Sequence, residues 1–361
     1  MKKTVVSVFF TLFLMIGLTA CGSKTPETIA STHGAPETES ATETAAETAS
    51  GTLPEGLQET DLALPVADHE DWSLPGTLTL PEGNGPFPAV ILVHGSGPND
   101  RDETIYENKP FKDLAQNLAQ KGIAVYRYDK RTYVYGKDMA ADMTLTLDEE
   151  TVIDAAEAVG LLKSREEIDA DRIFVLGHSL GGQALPRIHN ALTSSENTAA
   201  GYIFLAAPAR NLAEIMREQY DFLYSFTPVL TDTQKAQKEE VYAQLDMLDN
   251  IRTLEDSEVL MGAYAHYWKD LLAYDPLQAA ADISVPCFVL QGEEDYQVTM
   301  EDFRLWKDTF QNKENWSFQS YAGLTHLFMP GERANANAVY LKKQTVDAQV
   351  MTDIAEFINT H

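Results

Sequence analysis

The sequence predicts an α/β fold, a doubly wound and mostly parallel sheet with a helical insertion, and three observations predict it. From about residue 60, short β-branched apolar runs alternate with amphipathic helical patterns. The runs are apolar throughout instead of at every second residue, as in strands covered on both faces. One run leads through "GHSLGG", a glycine-rich passage from strand to helix.

In chain order, "WSLPGTLTLP" reads as an early hairpin strand. "PAVILVHG" (88–95), "IAVYRYDK" (123–130), "RIFVLGHS" (172–179), "GYIFLAAP" (201–208) and "PCFVLQG" (286–292) read as buried strands, with "WSFQSYAG" as a last one. "PFKDLAQNLAQKG" and "LDEETVIDAAEAVGLLKS" carry helical spacing between them. The stretch from Pro208 to Pro286 is too long for a single crossover, and its Leu, Met, Tyr, Gln and Glu content reads as several helices. Ligands bind outside the carboxyl ends of such strands, so an insertion leaving from there can roof the site. A helical cap is therefore expected at about 210–283, within a domain covering 56–361.

With 361 residues, 44% of them hydrophobic, the chain can build a sizeable core. Its net charge of −28 argues against nucleic acid, whose binders concentrate lysine and arginine against phosphate, and disfavours strongly anionic substrates. Lys2 and Lys3 precede an apolar run from Val5 to Leu18, the layout of a secretory signal over residues 1–20. The run is short of the roughly 20 residues that a spanning helix needs.

Leu18-Thr19-Ala20-Cys21-Gly22 resembles the lipobox of bacterial lipoproteins, which implies a lipid on Cys21 and cleavage before it. Residues 21–55 then form a tether rich in Thr, Ala, Glu, Ser and Pro, too polar to offset its ordering entropy. About thirty such residues span roughly 30 Å. The expected address is the extracytoplasmic face of a bacterial cell membrane, with the lipid as the sole membrane contact. Cys287, in "VPCFVLQG", reads as a small buried hydrophobe. No disulfide, metal or cofactor is expected.

Gly177-His178-Ser179-Leu180-Gly181 fits G-x-S-x-G, a sharp turn that lifts a nucleophilic hydroxyl above an α/β sheet. A serine hydroxyl needs a base to accept its proton, and the base needs a carboxylate to fix its tautomer. Of eight histidines, His33 lies in the tether, His69 precedes the sheet and His361 ends the chain. His189 falls in the following helix and His266 in the insertion, while His178 stands inside the turn with its side chain directed away from the serine's. His326, in "YAGLTHLFMPGE" after the last strand, remains as the base. "CFVLQGEEDYQVT" offers Glu293, Glu294 and Asp295 as the acid; Asp295 is chosen, with Glu294 as the fallback. Two N–H donors must meet the oxyanion. Leu180 N–H at the helix start supplies one, and Ser96 N–H in "VHGSGPNDRDE" the other, with Gly97 as the near alternative. His94 is expected to brace that loop. The alternating charges of "NDRDE" and "YDKRT" read as structural ion pairs near the rim.

The combination of "HGSGPNDRDE", "KPFKDLAQNLAQKGIAVYRYDKRT", "GHSLGG", "LAAPAR", "LQGEEDYQV" and "GLTHLF" resembles bacterial α/β-hydrolase esterases of the EstD type, related to dienelactone hydrolases and the prolyl oligopeptidase-like group. The resemblance covers roughly residues 60 to 361. It implies the α/β-hydrolase fold and cleavage of a small-molecule carboxylic ester through Ser179, Asp295 and His326. Longer relatives carry a folded N-terminal domain where the tether stands here. The competing expectations are a prolyl oligopeptidase-like serine peptidase and an inactive ligand-binding lipoprotein.

If Cys21 carries the lipid, Cys21→Ala releases the protein from membranes or stalls signal processing, as phase partitioning into detergent will report. Equal membrane retention of both forms would indicate an uncleaved helix.

Overall fold

A computed structural model describes residues 53–361. The signal segment 1–20, Cys21 and the tether as far as residue 52 lie outside the described residues.

Eight strands form the main sheet: β1 (Gln58–Asp61), β2 (Gly76–Leu80), β3 (Phe87–Val93), β4 (Ala124–Tyr128), β5 (Ile168–His178), β6 (Gly201–Leu205), β7 (Cys287–Gly292) and β8 (Trp316–Tyr321). Their spatial order is β1-β2-β4-β3-β5-β6-β7-β8. All neighbours from β4 to β8 pair parallel, while β1 and β2 are antiparallel additions at one edge. The predicted doubly wound sheet is thus present, and each buried strand read from the sequence takes its place in it.

Two elements differ from the sequence expectation. Pro75, which has no N–H to give, divides "WSLPGTLTLP". Ser73–Leu74 pairs with Leu64–Pro65 in a small ribbon, and β2 alone enters the sheet, against the unanticipated β1. Every residue of β1 is exposed, so this edge strand lacks the apolar signature that marks the others.

Apolar residues alternate along β3 and β5 between two cores. Ala89, Ile91, Val93, Ile173 and Val175 belong to one; Val90, Leu92, Phe174 and Leu176 belong to the other. The first core includes residues of α2 (Ile153–Lys163) and α3 (Leu180–Ser194), the second residues of α1 (Pro110–Gln120) and α8 (Ala348–Thr360). Covering both faces is what made these strands continuous apolar runs. Each fully buried Val, Leu, Ile or Phe contributes about 1.5–3 kcal/mol of transfer free energy.

The long connection after β6 contains α4 (Leu212–Ser225), α5 (Asp232–Asp249) and α6 (Ala265–Ala273). Asn211 caps α4 by accepting from Ala213 N–H, and Thr231 with Gln234 forms a reciprocal capping box on α5. α7 (Met300–Phe310) follows β7, with Phe303, Trp306 and Phe310 in the first core.

The winding positions the functional loops. The chain leaves β3 for β4 on one side, then returns to β5 on the other, so strand order reverses between β3 and β5. A crevice opens outside their carboxyl ends. Val93 is in register with Gly177, which sets His94 beside His178 and the loop after β3 beside Ser179.

Candidate active site

Ser179 turns the chain at φ 52°, ψ −121° between β5 and α3. A residue bearing a side chain takes positive φ only where its surroundings impose it. The Ser179 N–H donates to Leu205 O at the end of β6 (2.9 Å), and its carbonyl accepts from Gln183 N–H (3.0 Å). Close approach requires the glycines on either side. A Cβ at Gly177 would stand 2.3 Å from Gly181 O, and one at Gly181 would stand 2.4 Å from Val93 O. The turn is therefore possible only with bare backbone flanking the serine, whose own side chain stays partly exposed.

Of the three acids after β7, the structure brings Asp295 to His326, its Oδ2 lying 2.6 Å from Nδ1. Asp295 Oδ1 accepts from the N–H groups of Gln297 (2.7 Å) and Val298 (3.1 Å), and Gln291 Nε2 donates to Oδ2 at 3.0 Å. Glu294 accepts instead from Arg333 N–H (2.7 Å), and Glu293 from the Ser320 hydroxyl (2.8 Å). A carboxylate only accepts, so Nδ1 of His326 carries a proton and Nε2 faces away from the acid. The two loops interlock: Glu294 N–H donates to Leu324 O at 2.9 Å, and a Cβ at Gly292 would meet that carbonyl at 2.5 Å. Among the described residues no hydrogen bond joins the Ser179 hydroxyl to His326. The His326 ring lies 4.7 Å from the ring of His178, the residue beside Ser179.

The loop after β3 is held by its carbonyls. Asn99 Nδ2 donates to the carbonyls of Gly95 (3.2 Å), Ser96 (3.1 Å) and Gly97 (3.3 Å), and Lys130 Nζ donates to Gly95 O at 2.9 Å. In a planar trans peptide the N–H points opposite the carbonyl, so drawing these oxygens to one side turns the Ser96 and Gly97 N–H groups to the other. Gly95 N–H is committed to Glu103 Oε1 (2.8 Å). A Cβ at Gly95 would lie 3.1 Å from Ser179 Cβ, so this loop passes directly over the serine. Leu180 begins α3 and has the first of its orphan N–H groups.

The charged motifs form ion pairs around this loop, as expected. Arg101 grips both oxygens of Asp129 at 3.0 Å. Lys130 pairs with Glu150 (2.5 Å), and Arg131 pairs with Asp154 and Asp68. Buried His94 packs against Phe111 and Tyr128, and burial pushes its imidazole down to about 4, which makes it a neutral brace. Cys287 is free and buried, and burial raises its thiol well above the ordinary value.

Sequence reasoning missed Glu103 and His178. Glu103 was absorbed into the ion-pair reading of "NDRDE", and His178 was set aside because the turn excluded it as the base. The buried Glu103 Oε2 and His178 Nδ1 lie 2.9 Å apart. Burial alone would raise Glu103, but the His178 charge outweighs it and holds the carboxyl below its ordinary range. Burial would likewise lower His178, and the Glu103 carboxylate overrides that to hold it above. The one available signal was position, since Glu103 ends the oxyanion loop and His178 sits inside the serine turn.

A cleft of about 340 Å³ lined by Arg187, Asp270 and Tyr274 lies apart from these groups, and its charges already pair with each other. Among the described residues no group of three or more His, Cys, Asp or Glu is gathered as a metal site.

The profile of the family described as serine aminopeptidase, S33, matches residues 86–333. Esterase EstD of Thermotoga maritima is 39% identical over 307 residues, covering 84% of this chain and 68% of that protein. Among solved structures, an esterase from Pyrobaculum calidifontis superposes with a TM-score of 0.54 at 16% identity, over 84% of this chain and 85% of its own. A Pyrococcus furiosus esterase gives 0.53 at 16% identity, over 84% and 91%. Both likenesses concern the fold.

Gly177→Ala tests the packing of the turn. The added methyl drives backbone against backbone, and we expect a loss of about 1–3 kcal/mol in unfolding free energy together with slowed fluorophosphonate labelling. Unchanged melting and labelling would show that the turn has room to spare.

Proposed function

The chain belongs to the serine aminopeptidase S33 family of α/β-hydrolases, and within that family we propose that it is a carboxylesterase working through an acyl-enzyme. The observation that carries the proposal is the 2.6 Å contact of Asp295 with His326, buried together beside a serine held at positive φ. In the proposed reaction the Ser179 Oγ–H proton passes to His326 Nε2 while Oγ bonds to the substrate carbonyl carbon. The carbonyl π pair moves onto oxygen, where the N–H groups of Ser96 and Leu180 receive it. Collapse of this intermediate breaks the ester C–O bond, and the leaving alkoxide takes the proton from His326. Water repeats the sequence against the acyl-serine. Asp295 remains ionised, orienting the ring and stabilising its cation.

The name of the Thermotoga relative supports ester substrates. The family description favours a second reading, an aminopeptidase using the same groups. We further propose that the insertion roofs the site: the Phe222 ring of α4 stacks at 5.0 Å on Tyr296, the residue after Asp295, and Gln219 of the same helix donates to Gln297 O at 2.9 Å. The "LTACG" pattern supports a lipid-anchored, extracytoplasmic placement.

Turnover of p-nitrophenyl acetate against aminoacyl anilides decides between ester and peptide. Ser179→Ala should abolish the preferred activity and fluorophosphonate labelling while leaving the fold intact. Wild-type protein inert towards both substrates and the label would favour a ligand-binding protein instead.

The acid is tested separately. Asp295→Asn leaves His326 free to take the wrong tautomer, and we expect kcat to fall by as much as about 10⁴. Glu293→Gln and Glu294→Gln should cost a few-fold at most, since charges screened by solvent act weakly. A collapse at Glu294→Gln with Asp295→Asn still active would transfer the role.

A further inference from the structure

His178 is wholly enclosed, and both its ring nitrogens face oxygens. Nε2 lies 3.1 Å from the main-chain carbonyl of His326, and Nδ1 lies 2.9 Å from Glu103 Oε2. A carbonyl oxygen can only accept, so Nε2 must bear a proton. Among the described residues, Nδ1 and Oε2 have no other polar partner than each other. An imidazole lone pair would repel a carboxylate oxygen at that distance, so Nδ1 carries a proton as well as Nε2, and the ring and the carboxylate meet as opposite charges. Glu103 reaches further with Oε1, which accepts from Gly95 N–H at 2.8 Å. It does so from a backbone at φ 51°, a conformation that a side-chain-bearing residue keeps only under constraint.

We propose that Glu103 and His178 form a fixed carboxylate–imidazolium pair that sets the position of the oxyanion loop relative to the His326 loop. One end of the pair holds Gly95, whose neighbour Ser96 offers the oxyanion donor. The other end holds the backbone of the base. The two loops leave β3 and β8, strands well separated in the sheet, and the pair spans the interval through the residue next to the nucleophile. His178 and Glu103 are positioning residues: they touch the loops that act on substrate and not the substrate. The inference rests on the serine-hydrolase reading for its catalytic consequence, whereas the charge state of His178 stands independently.

The titratable and charged groups around the pair are His326 and Asp295 on the loops after β8 and β7, and His94 and Lys130 beside Gly95. His178 is shifted up from its ordinary 6.5, so its contribution to stability is complete below that value and is lost as pH rises through the folded value. Glu103 is shifted down from 4.5, so its contribution is complete above that value and is lost as pH falls through the folded one.

The test has two arms. Histidine-selective ¹⁵N NMR of the folded domain at about pH 7.5, a unit above the ordinary imidazole value, should find both ring nitrogens of His178 protonated. The resonance is identified by its loss in His178→Gln or, should that variant fail to fold, by its contact with Phe111, whose ring lies 6.5 Å away. A singly protonated His178 at that pH overturns the proposal whatever the enzyme does. In the second arm, Glu103→Gln keeps the shape and removes the charge; kcat for short-chain ester should fall by about 10–100-fold with KM nearly constant, the signature of misplaced groups. The wild-type alkaline loss of kcat should shift to lower pH in that variant, because His178 gives up its proton more easily. An unchanged kcat and pH profile, or a rise in KM alone, would overturn the positioning role. If no ester or anilide is turned over by wild type, the reaction assignment fails while the NMR result still decides the pair.

Discussion

The conformation of Ser179 is the constraint on which the site depends. Backbone strain of this kind costs about 1–3 kcal/mol and persists only where the surroundings over-determine it. Here the surroundings are the sheet. The Leu205 carbonyl at the end of β6 fixes the serine N–H, and Val93 at the end of β3 presses on Gly181. The strands on both sides of β5 therefore clamp the turn between them. Their apolar residues, buried on two faces, supply the free energy against which the strain is held. Ser179 is thus positioned by the core, with loop contacts adding only direction.

A second constraint is charge. The chain is strongly acidic, yet around the loop after β3 its cations are matched by carboxylates: half-buried Arg101 with Asp129, buried Lys130 with Glu150, and buried Arg131 with Asp154 and Asp68. Removing one partner of such a buried pair costs about 3–5 kcal/mol, because the other is left charged and dry. That asymmetry makes these pairs rigid spacers. Lys130 is the informative case, since the same ammonium pairs with Glu150 and holds the Gly95 carbonyl. Charge pairing and the geometry of the loop after β3 are there one arrangement.

These two constraints explain what the sequence could reveal. Buried parallel strands write themselves as apolar runs, and the serine turn writes itself as glycines, so the fold and the Ser179 turn were legible. His326, the proposed base, followed from strand order and elimination. The acid was less determined, because "EED" offers three carboxylates and only the shape of the loop, through Gln297 and Val298 N–H groups, selects Asp295. Exposed β1 was invisible since it has no apolar face to display. Glu103 and His178 were hidden differently: besides each other, their partners are a main-chain N–H and a main-chain carbonyl, groups every residue has, and no spacing of residue types brings the two together.

The insertion shows how far this framework extends. Tyr267 of α6 donates its hydroxyl to Glu150 Oε2 at 2.5 Å, and the other oxygen of that carboxylate pairs with Lys130. A continuous buried chain of polar contacts therefore runs from the insertion through Glu150 and Lys130 to the carbonyl of Gly95. At the opposite side, Gln219 of α4 holds the loop that carries Asp295. The insertion reaches the loop after β3 and the loop after β7, and it does so through hydrogen bonds to backbone oxygens or buried charges. Such contacts are costly to leave unmade, so displacing α6 would strand a buried carboxylate oxygen or pull Lys130 from the loop. The positions of the loops after β3 and β7 are consequently tied to the packing of these helices through one polar network.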